Sequence, residues 1–310
     1  MNESLIEKKK MLAELEWVDA HQHLWDLSRV DYPWILAKGE VRFFGQPDPI
    51  RKDYLIGQYL DDTAGRIARS VHVQVGAKPG HELKETEFVA ECSARTGGRL
   101  PSAAVVAVDM GGEGLEEELG AQLSFPVTRG VRQMIGKSAE ENPTLPPFVP
   151  EIWIRNWRKL PAHDLSFDLQ LTEEQYPEVL AALEQVPEMK LAICHLASPW
   201  DRSADGMKRW REWMKRFAAL PNAKMKISGL CMFTKNWDEA EFLRWGNAAL
   251  EIFGPDRCML GSNFPVDRLY VSYDDLFAGW QKLVAQCSPA EALQLAGKSA
   301  ANFYGLQASS

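Results

Sequence analysis

The chain has 310 residues, of which 45% are hydrophobic and 25% are charged, and its formal net charge at pH 7 is −8. These proportions are ordinary for a globular protein. The acidic balance argues against binding to nucleic acid or to an anionic membrane, because both need a clustered basic face. A small anionic substrate is still compatible, since a local basic patch is enough to bind it.

The cysteines and the N-terminus bear on the compartment. Five cysteines without CxxC spacing predict neither a disulfide framework nor a zinc knuckle. The first residues, MNESLIEKKKMLAELEW, lack the apolar core and cleavage site of a signal peptide. No segment approaches the ~20 apolar residues that cross a bilayer. We therefore expect a cytoplasmic protein with a small-molecule substrate and no nucleic-acid or membrane partner. Homo-oligomerisation is left open.

Short apolar runs alternate with amphipathic stretches along the chain. The runs lie near residues 17–23, 68–75, 102–108, 128–134, 165–171, 190–196, 223–229 and 257–262. The stretches lie near residues 53–64, 82–96, 114–123, 152–160, 176–185, 206–219, 238–253 and 272–285. Eight such pairs predict an α/β fold, a (β/α)8 TIM barrel. A doubly wound open sheet is the competitor, but no glycine-rich phosphate loop follows the first run.

The flanking segments complete the predicted architecture. Residues 16–310 are expected to form one domain, preceded by an N-terminal extension over residues 1–15. A final helix over residues 289–304 is expected to pack outside the barrel. Residues 24–52 form a long aromatic-rich loop, and in a compact domain such a loop is typical of a lid or pocket wall. Trp25 and Trp34 are its candidate substrate-binding residues.

Two histidines stand at the end of the first predicted strand. Side chains alternate along a strand, so His21 and His23 are expected to share the face that lines the barrel interior. Such a pair can chelate a metal ion or hydrogen-bond a carbonyl and a water. An isolated HxH is more often structural than catalytic. At the mouth of a barrel, where catalytic groups sit, the functional interpretation is favoured.

Polar residues also end the other predicted strands. Each alone is more often a satisfied core or rim residue than a catalyst, but burying all of them without partners or a ligand would cost stability. The set comprises Gln74, Asp109, Arg132, Asp168, Gln170, His195, Lys226, Ser228, Ser262 and Asn263.

The motifs together resemble the lactonase branch of the amidohydrolase-2 family over about residues 17–305. They are VDAHQHLW at 18–25, YPW at 32–34, GVR at 130–132, LSFDLQL at 165–171, CHLASP at 194–199, KISGL at 226–230 and GPDRCMLGSNFPVD at 254–267. The resemblance implies a TIM-barrel lactonase that acts on lactones of sugar acids or of aromatic-degradation intermediates. It places His21, His23 and His195 at the active site and Arg132 at a substrate carboxylate or carbonyl.

Two departures from the family pattern matter. Asn263 stands where most relatives have an aspartate that holds a metal or takes a proton, and an amide does neither well. His195 or Asp267 could then be the base, although Asp267 could equally be a rim residue in an ion pair. Asp168 and Gln170 stand where metal-rich relatives often carry a histidine. One divalent ion, best Zn²⁺ held by His21, His23 and His195, or none is therefore expected.

The resulting hypothesis is addition of water to a lactone or ester carbonyl of a small, carboxylate-bearing substrate. The catalytic candidates are His21, His23, His195, Asn263 and Asp267. The substrate-binding candidates are Gln74, Arg132, Gln170, Lys226, Ser228, Trp25 and Trp34. A lactone isomerase, a metal-dependent decarboxylase and a catalytically inactive small-molecule-binding barrel are the alternatives.

Overall fold

The computed structural model describes residues 11–135 and 148–306. Eight parallel strands hydrogen-bond in chain order, from β1 to β8, in one sheet. They are β1 (Trp17–Gln22), β2 (Ile67–Val73), β3 (Ala103–Ala107), β4 (Thr128–Arg132), β5 (Ser166–Leu169), β6 (Lys190–Ile193), β7 (Ala223–Ile227) and β8 (Cys258–Leu260). Each begins within one residue of its predicted start, so the strand assignment is confirmed.

A helix follows each strand and packs outside the sheet. These helices are α1 (Ile56–Thr63), α2 (Glu82–Arg95), α3 (Leu115–Leu123), α4 (Pro150–Trp157), α5 (Tyr176–Leu183), α6 (Ala204–Ala218), α7 (Glu239–Phe253) and α8 (Tyr273–Val284). Backbone hydrogen bonds join the residues after β8 to β1. Asn263 N–H donates to the His21 carbonyl at 2.7 Å, and His23 N–H donates to the Phe264 carbonyl at 2.8 Å. The predicted (β/α)8 barrel is confirmed.

A β-bulge in β1 sets the direction of the active-site histidines. Between Asp19 and Gln22, three residue steps on β1 match two on β2. Strict alternation would place Asp19 and His21 on one face. Instead, the Asp19 carboxylate accepts hydrogen bonds from the hydroxyls of Tyr59 on α1 and Tyr273 on α8, outside the barrel. His21 faces the interior, as predicted, but alternation alone does not explain why.

The C-terminal segment closes the N-terminal end of the barrel. It comprises α9 (Pro289–Leu293), a π-helical turn (Gln294–Lys298) and α10 (Ser299–Tyr304). Phe303 and Tyr304 join the inner apolar cluster, which includes Val18, Ala20, Val71, Val73, Val105, Ala192 and Met259. The segment was expected to pack outside the barrel; its last residues, Phe303 and Tyr304, also cover the apolar barrel floor, and the Tyr304 hydroxyl reaches inside to Asp168.

Hydrogen bonds hold the long loop after β1 across the C-terminal end of the barrel. The Trp34 indole donates to the Val75 carbonyl after β2 at 2.6 Å. The Tyr270 hydroxyl, after β8, donates to the Phe44 carbonyl at 2.6 Å. The loop therefore spans the C-terminal end of the barrel, where parallel barrels carry their catalytic groups.

Candidate active site

Three histidine rings meet at the C-terminal end of the barrel. The ring centroid of His21 lies 5.0 Å from that of His23 and 4.4 Å from that of His195. All three side chains are at most 5% exposed. The bulge in β1 supplies the first two, and the turn after β6 supplies the third. Residues more than 170 positions apart are therefore brought together, as the sequence predicts.

His195 sits on an unusual turn of the backbone. Residues 195–198 all have left-handed φ angles, between 53° and 60°, and such angles are costly for residues with a Cβ. The turn is held from outside the barrel: the Trp210 indole donates to the Leu196 carbonyl at 2.7 Å, and the Tyr176 hydroxyl donates to the Ala197 carbonyl. Gly229 lies against the ring, where a Cβ would approach Nδ1 of His195 to 2.3 Å. This packing fixes the ring.

Burial keeps all three imidazoles neutral. It is the main cause that lowers the pKa of His23 to about 3, and Arg132 adds to the effect. Burial also lowers the pKa of His21 and of His195 well below the usual 6.5. The next cause is His195 for His21 and Arg132 for His195. Neutral rings can accept a proton or donate a hydrogen bond at physiological pH.

His23 and Asn263 face each other through two acceptor atoms. His23 Nδ1 lies 2.7 Å from the Val73 carbonyl and so must carry the hydrogen. Nε2 of the neutral ring is then an acceptor, 3.2 Å from Asn263 Oδ1. The contact is favourable only if a cation or proton lies between the atoms, or if the amide is reversed so that its NH₂ group faces the ring.

Asp267 completes this arrangement. The Asn263 amide donates to the Asp267 carboxylate at 2.8 Å, and Asp267 is only 2% exposed. Burial raises the pKa of Asp267 to about 7. A reversed Asn263 amide would require a protonated Asp267, which this pKa permits near neutrality. The expectation of a rim residue in an ion pair was wrong, because Asp267 is buried behind Asn263.

Arg132 is a buried cation that lacks an acidic partner among the described residues. One Nη atom donates to the Gln170 side chain at 3.3 Å, and the other donates to the Gln74 backbone carbonyl. Nε is buried and has no hydrogen-bond partner in the described part of the chain. Desolvation by burial lowers the pKa of Arg132. Such a group is stabilised when an anion or a carbonyl oxygen binds beside it.

Lys226 lies beneath the histidines, where it contacts other side chains of the barrel. Its ammonium is 2.5 Å from an Asp168 carboxylate oxygen and 3.5 Å from His21 Nδ1, and Lys226 and Asp168 are fully buried. The Tyr304 hydroxyl lies 3.0 Å from both oxygens of Asp168. The predicted direct contact of Lys226 with substrate therefore has no support in this geometry, since the ion pair directs its charge inward.

The remaining predicted contacts divide into two groups. Ser228 touches His195, with its hydroxyl oxygen 3.0 Å from Nδ1, and Gln74 and Gln170 flank Arg132. Trp25 is buried within the first loop instead, where its indole donates to the Lys52 carbonyl at 2.6 Å. The sequence does not distinguish an aromatic residue that contacts substrate from one that packs inside the loop, because an aromatic-rich loop also needs aromatic residues for its own core.

An aromatic cluster over the mouth was not predicted residue by residue. The Phe43 ring, from the first loop, lies 5.4 Å from the Trp200 ring and 6.1 Å from the Phe233 ring. Trp200 follows β6 and Phe233 follows β7, so the contacts bridge the mouth. The position of Phe43 in the aromatic-rich loop was the available signal. Tyr304 was also missed, and nothing local to its sequence indicates contact with the barrel interior.

The comparisons with known proteins agree with this architecture. The amidohydrolase family profile matches residues 18–306. The chain belongs to the amidohydrolase family. Its match to an L-fucono-1,5-lactonase of Burkholderia multivorans is 30% identical and covers 93% of this chain and 96% of that protein. An amidohydrolase from the same species, crystallised with bound zinc, shares 27% identity and superposes with a TM-score of 0.78, covering 94% of this chain and 100% of that one.

These findings extend to further relatives of the family. An L-rhamnono-γ-lactonase of Scheffersomyces stipitis is 21% identical and covers 82% of this chain and 87% of that protein. The chain is thus an enzyme of a hydrolase family, and its relatives support lactone hydrolysis as the general class of reaction. Among the described residues, no helix is long and apolar enough to span a bilayer.

Metal dependence fits the family, and one group of donors inside the barrel is compact enough to surround a metal ion. His21, Asp168 and Cys194 place one ligand atom each within 4.8 Å of one another. The Lys226 ammonium, however, already lies against both Asp168 and His21 Nδ1. A metal ion there would meet a resident cation. Binding through His21 Nε2 instead would require hydrogen on Nδ1, pointing at the ammonium. The residues present do not fit a metal ion at His21.

Proposed function

We propose that this enzyme hydrolyses the lactone of a small sugar acid or of a similar carboxylic acid. The observation that carries the proposal is that two buried atoms at the mouth, His21 Nε2 and Arg132 Nε, have no hydrogen-bond partner among the described residues and lie beside a cluster of neutral imidazoles. Buried polar groups without partners are costly unless a ligand satisfies them. A lactone carbonyl, which gains negative charge when water adds to it, is such a ligand.

Arg132 stabilises the carbonyl oxygen as it becomes an oxyanion. Hydrogen-bond donors fixed at this position lower the barrier, because they do not need to reorganise during the reaction. In the described part of the chain, the Nη atoms of Arg132 bond the Gln170 side chain and the Gln74 carbonyl and no carboxylate. The same guanidinium suits the carboxylate of the product or a carboxylate on the substrate. Gln74 and Gln170 hold it in place.

His195 takes the proton from the attacking water. Its ring is neutral, because burial lowers its pKa, and a neutral imidazole can accept a proton. Its Nδ1 contacts the Ser228 hydroxyl at 3.0 Å, which leaves Nε2 for the water. The oxygen of the water forms the new bond to the carbonyl carbon, and the ring ester bond then breaks, with the proton returned to the leaving alkoxide.

Asn263 and Asp267 act on His23 instead of on the water. Asn263 lies between the His23 ring and the Asp267 carboxyl group. The buried carboxyl is thus one side chain removed from the histidines. We therefore assign Asp267 to holding Asn263 and His23, and we assign the base role to His195. Zn²⁺, expected from the resemblance as one alternative, has no part in these steps because Lys226 lies against His21.

The direct test is a panel of lactones. Purified enzyme is assayed for proton release with 1,5- and 1,4-lactones of hexonic and 6-deoxyhexonic acids and with 2-pyrone-4,6-dicarboxylate, with and without a chelator. Products are identified by NMR. The free hydroxy acid is expected, at a rate that the chelator does not change. A shifted ester with no acid would identify an isomerase, and CO₂ release from aromatic acids would identify a decarboxylase. Binding without turnover of any compound would leave only a binding protein.

A further inference from the structure

A row of buried charged and polar side chains runs through the barrel interior to the active site. It starts at the Tyr304 hydroxyl, passes through the Asp168 carboxylate and the Lys226 ammonium, and ends at Nδ1 of His21. Lys226 and Asp168 are fully buried, and His21 is too. Such a buried ion pair is costly to assemble and needs its hydrogen bonds satisfied. Its contact with His21 therefore suggests a role at the site.

The ammonium restricts which nitrogen of His21 can carry hydrogen. A lysine ammonium has three N–H donors and no acceptor. Nδ1 of His21, at 3.5 Å from it, is favourable only as an acceptor. In a neutral imidazole one nitrogen carries hydrogen and the other carries the lone pair. Hydrogen on Nδ1 would bring two positive hydrogens together in a buried site, where repulsion is weakly screened.

We propose that the Lys226 ammonium fixes His21 in the tautomer with hydrogen on Nε2, which makes His21 a hydrogen-bond donor to the substrate carbonyl instead of a metal ligand. Lys226 is thus a positioning residue that acts through His21. The donor role rests on the proposed lactone hydrolysis, whereas the tautomer does not. His21 Nε2 is buried and has no partner among the described residues, as expected for a donor that meets its acceptor only in the substrate.

The proposal also explains the relation of this site to a metal ion. Nε2 with hydrogen attached has no lone pair for a metal. On the other side of the ring, His21, Asp168 and Cys194 form a compact donor set of a type that binds zinc, but the ammonium is in contact with two of the three. Lys226 therefore supplies the positive charge there. Removing the ammonium while keeping the three donors should create a zinc site.

The first test observes the tautomer directly. Histidine is labelled with ¹⁵N, and two-bond ¹H–¹⁵N correlation spectra are recorded on the substrate-free enzyme, with His21 assigned by its loss in His21→Gln. The expected pattern for His21 is that of the neutral ring with hydrogen on Nε2. A neutral ring with hydrogen on Nδ1, or a protonated ring at pH 7, would overturn the proposal, whatever the enzyme hydrolyses.

The second test removes the ammonium. Lys226→Met removes the ammonium and keeps a linear side chain that is one atom shorter. We expect this variant to bind about one Zn²⁺ per chain after dialysis against zinc, measured by mass spectrometry of the metal. The matched control is Lys224→Met, on the same strand, whose ammonium bonds the Asp256 and Ser299 carbonyls and does not touch His21. Wild type and this control should retain no stoichiometric zinc. Equal zinc in all three proteins would contradict the proposal.

A double variant controls for the possibility that the single variant does not fold. Lys226→Met leaves the Asp168 carboxylate buried without its cation, which is strongly destabilising. Asp168→Asn/Lys226→Met removes both charges, and its His21 spectrum should show hydrogen on Nδ1 in a substantial fraction of molecules. On a lactone that the wild type hydrolyses, kcat of this variant should fall about 10²–10³-fold with KM nearly unchanged. Retention of the wild-type spectrum would overturn the assignment of Lys226.

Discussion

Basic side chains at the two ends of the barrel differ in their hydrogen bonding: Lys224 is half-buried and Arg132 is buried. At the N-terminal end, Lys224 donates to the Asp256 carbonyl at 2.9 Å and to the Ser299 carbonyl and hydroxyl at 3.2 and 3.1 Å, so its three hydrogens have acceptors. At the C-terminal end, Arg132 keeps Nε buried and unpartnered within the described residues. The first end is closed by the chain itself, whereas the second has donors left for a ligand.

This contrast separates the part of the barrel that is built for stability from the part that is built to bind a ligand. Unsatisfied buried donors cost roughly 1–3 kcal/mol each, and at the mouth a bound ligand would offset that cost. The floor holds an apolar cluster with Phe303 and Tyr304 and has the character of an ordinary core. The mouth holds three neutral imidazoles beside an arginine. Substitutions at the two ends should therefore affect different properties.

The largest effect is expected at the histidines of the mouth. His21→Ala removes a donor and His195→Ala removes the base, so kcat/KM on the lactone substrate should fall at least ~10²–10³-fold in each variant. His163→Ala, which changes an exposed histidine outside the barrel, is the control and should keep wild-type kinetics. Wild-type turnover by either mouth variant would remove the basis of the proposed mechanism.

A smaller loss is expected for the arginine. Arg132→Met removes hydrogen bonds to a charged group, worth about 1.5–3 kcal/mol, so kcat/KM should fall about 10–100-fold while the urea midpoint changes little or rises. Lys224→Met should do the opposite, lowering the midpoint and leaving kcat/KM within about 2-fold. If both variants lose stability and keep activity, Arg132 has the same structural role as Lys224, and the proposed function of Arg132 is contradicted.

The floor residue Tyr304 should affect folding stability before catalysis. Tyr304→Phe removes a hydroxyl that donates to the Asp168 carboxylate and keeps the aromatic ring. We expect the free energy of unfolding to decrease by about 1.5–3 kcal/mol, measured by urea denaturation, with only a few-fold change in kcat. A loss of kcat as large as that of His21→Ala, at unchanged stability, would show that the floor takes part in the reaction.

The smallest effect is expected from moderate acidification. The pKa of His195 is lowered, so the ring stays neutral, and able to accept a proton, at pH values below the usual 6.5. The kcat/KM should therefore remain level from about pH 8 to about pH 6.5 and fall only at lower pH. A limb near pH 7 that disappears in Asp267→Asn would instead assign the observed proton to Asp267, whose pKa burial raises to about 7.

The architecture and the main residues of the candidate site could be predicted from the sequence. Alternating apolar runs and amphipathic stretches predict eight βα units, because each element must bury one face. Parallel strands of a barrel present their carboxyl ends together. For this reason His21, His23, Arg132 and His195 could be assigned to one mouth although they are far apart in the chain.

The hydrogen-bond partners of these groups depend on the folded structure and could not be predicted from the sequence. The bulge between Asp19 and Gln22 depends on pairing with β2, and local alternation does not reveal it. Lys226 was expected at the substrate, but its charge is directed by Asp168 and, through it, by Tyr304 from the other end of the chain. Burial and hydrogen bonding depend on residues that meet only in the folded barrel, so the protonation of a site is fixed by folding and not by a motif.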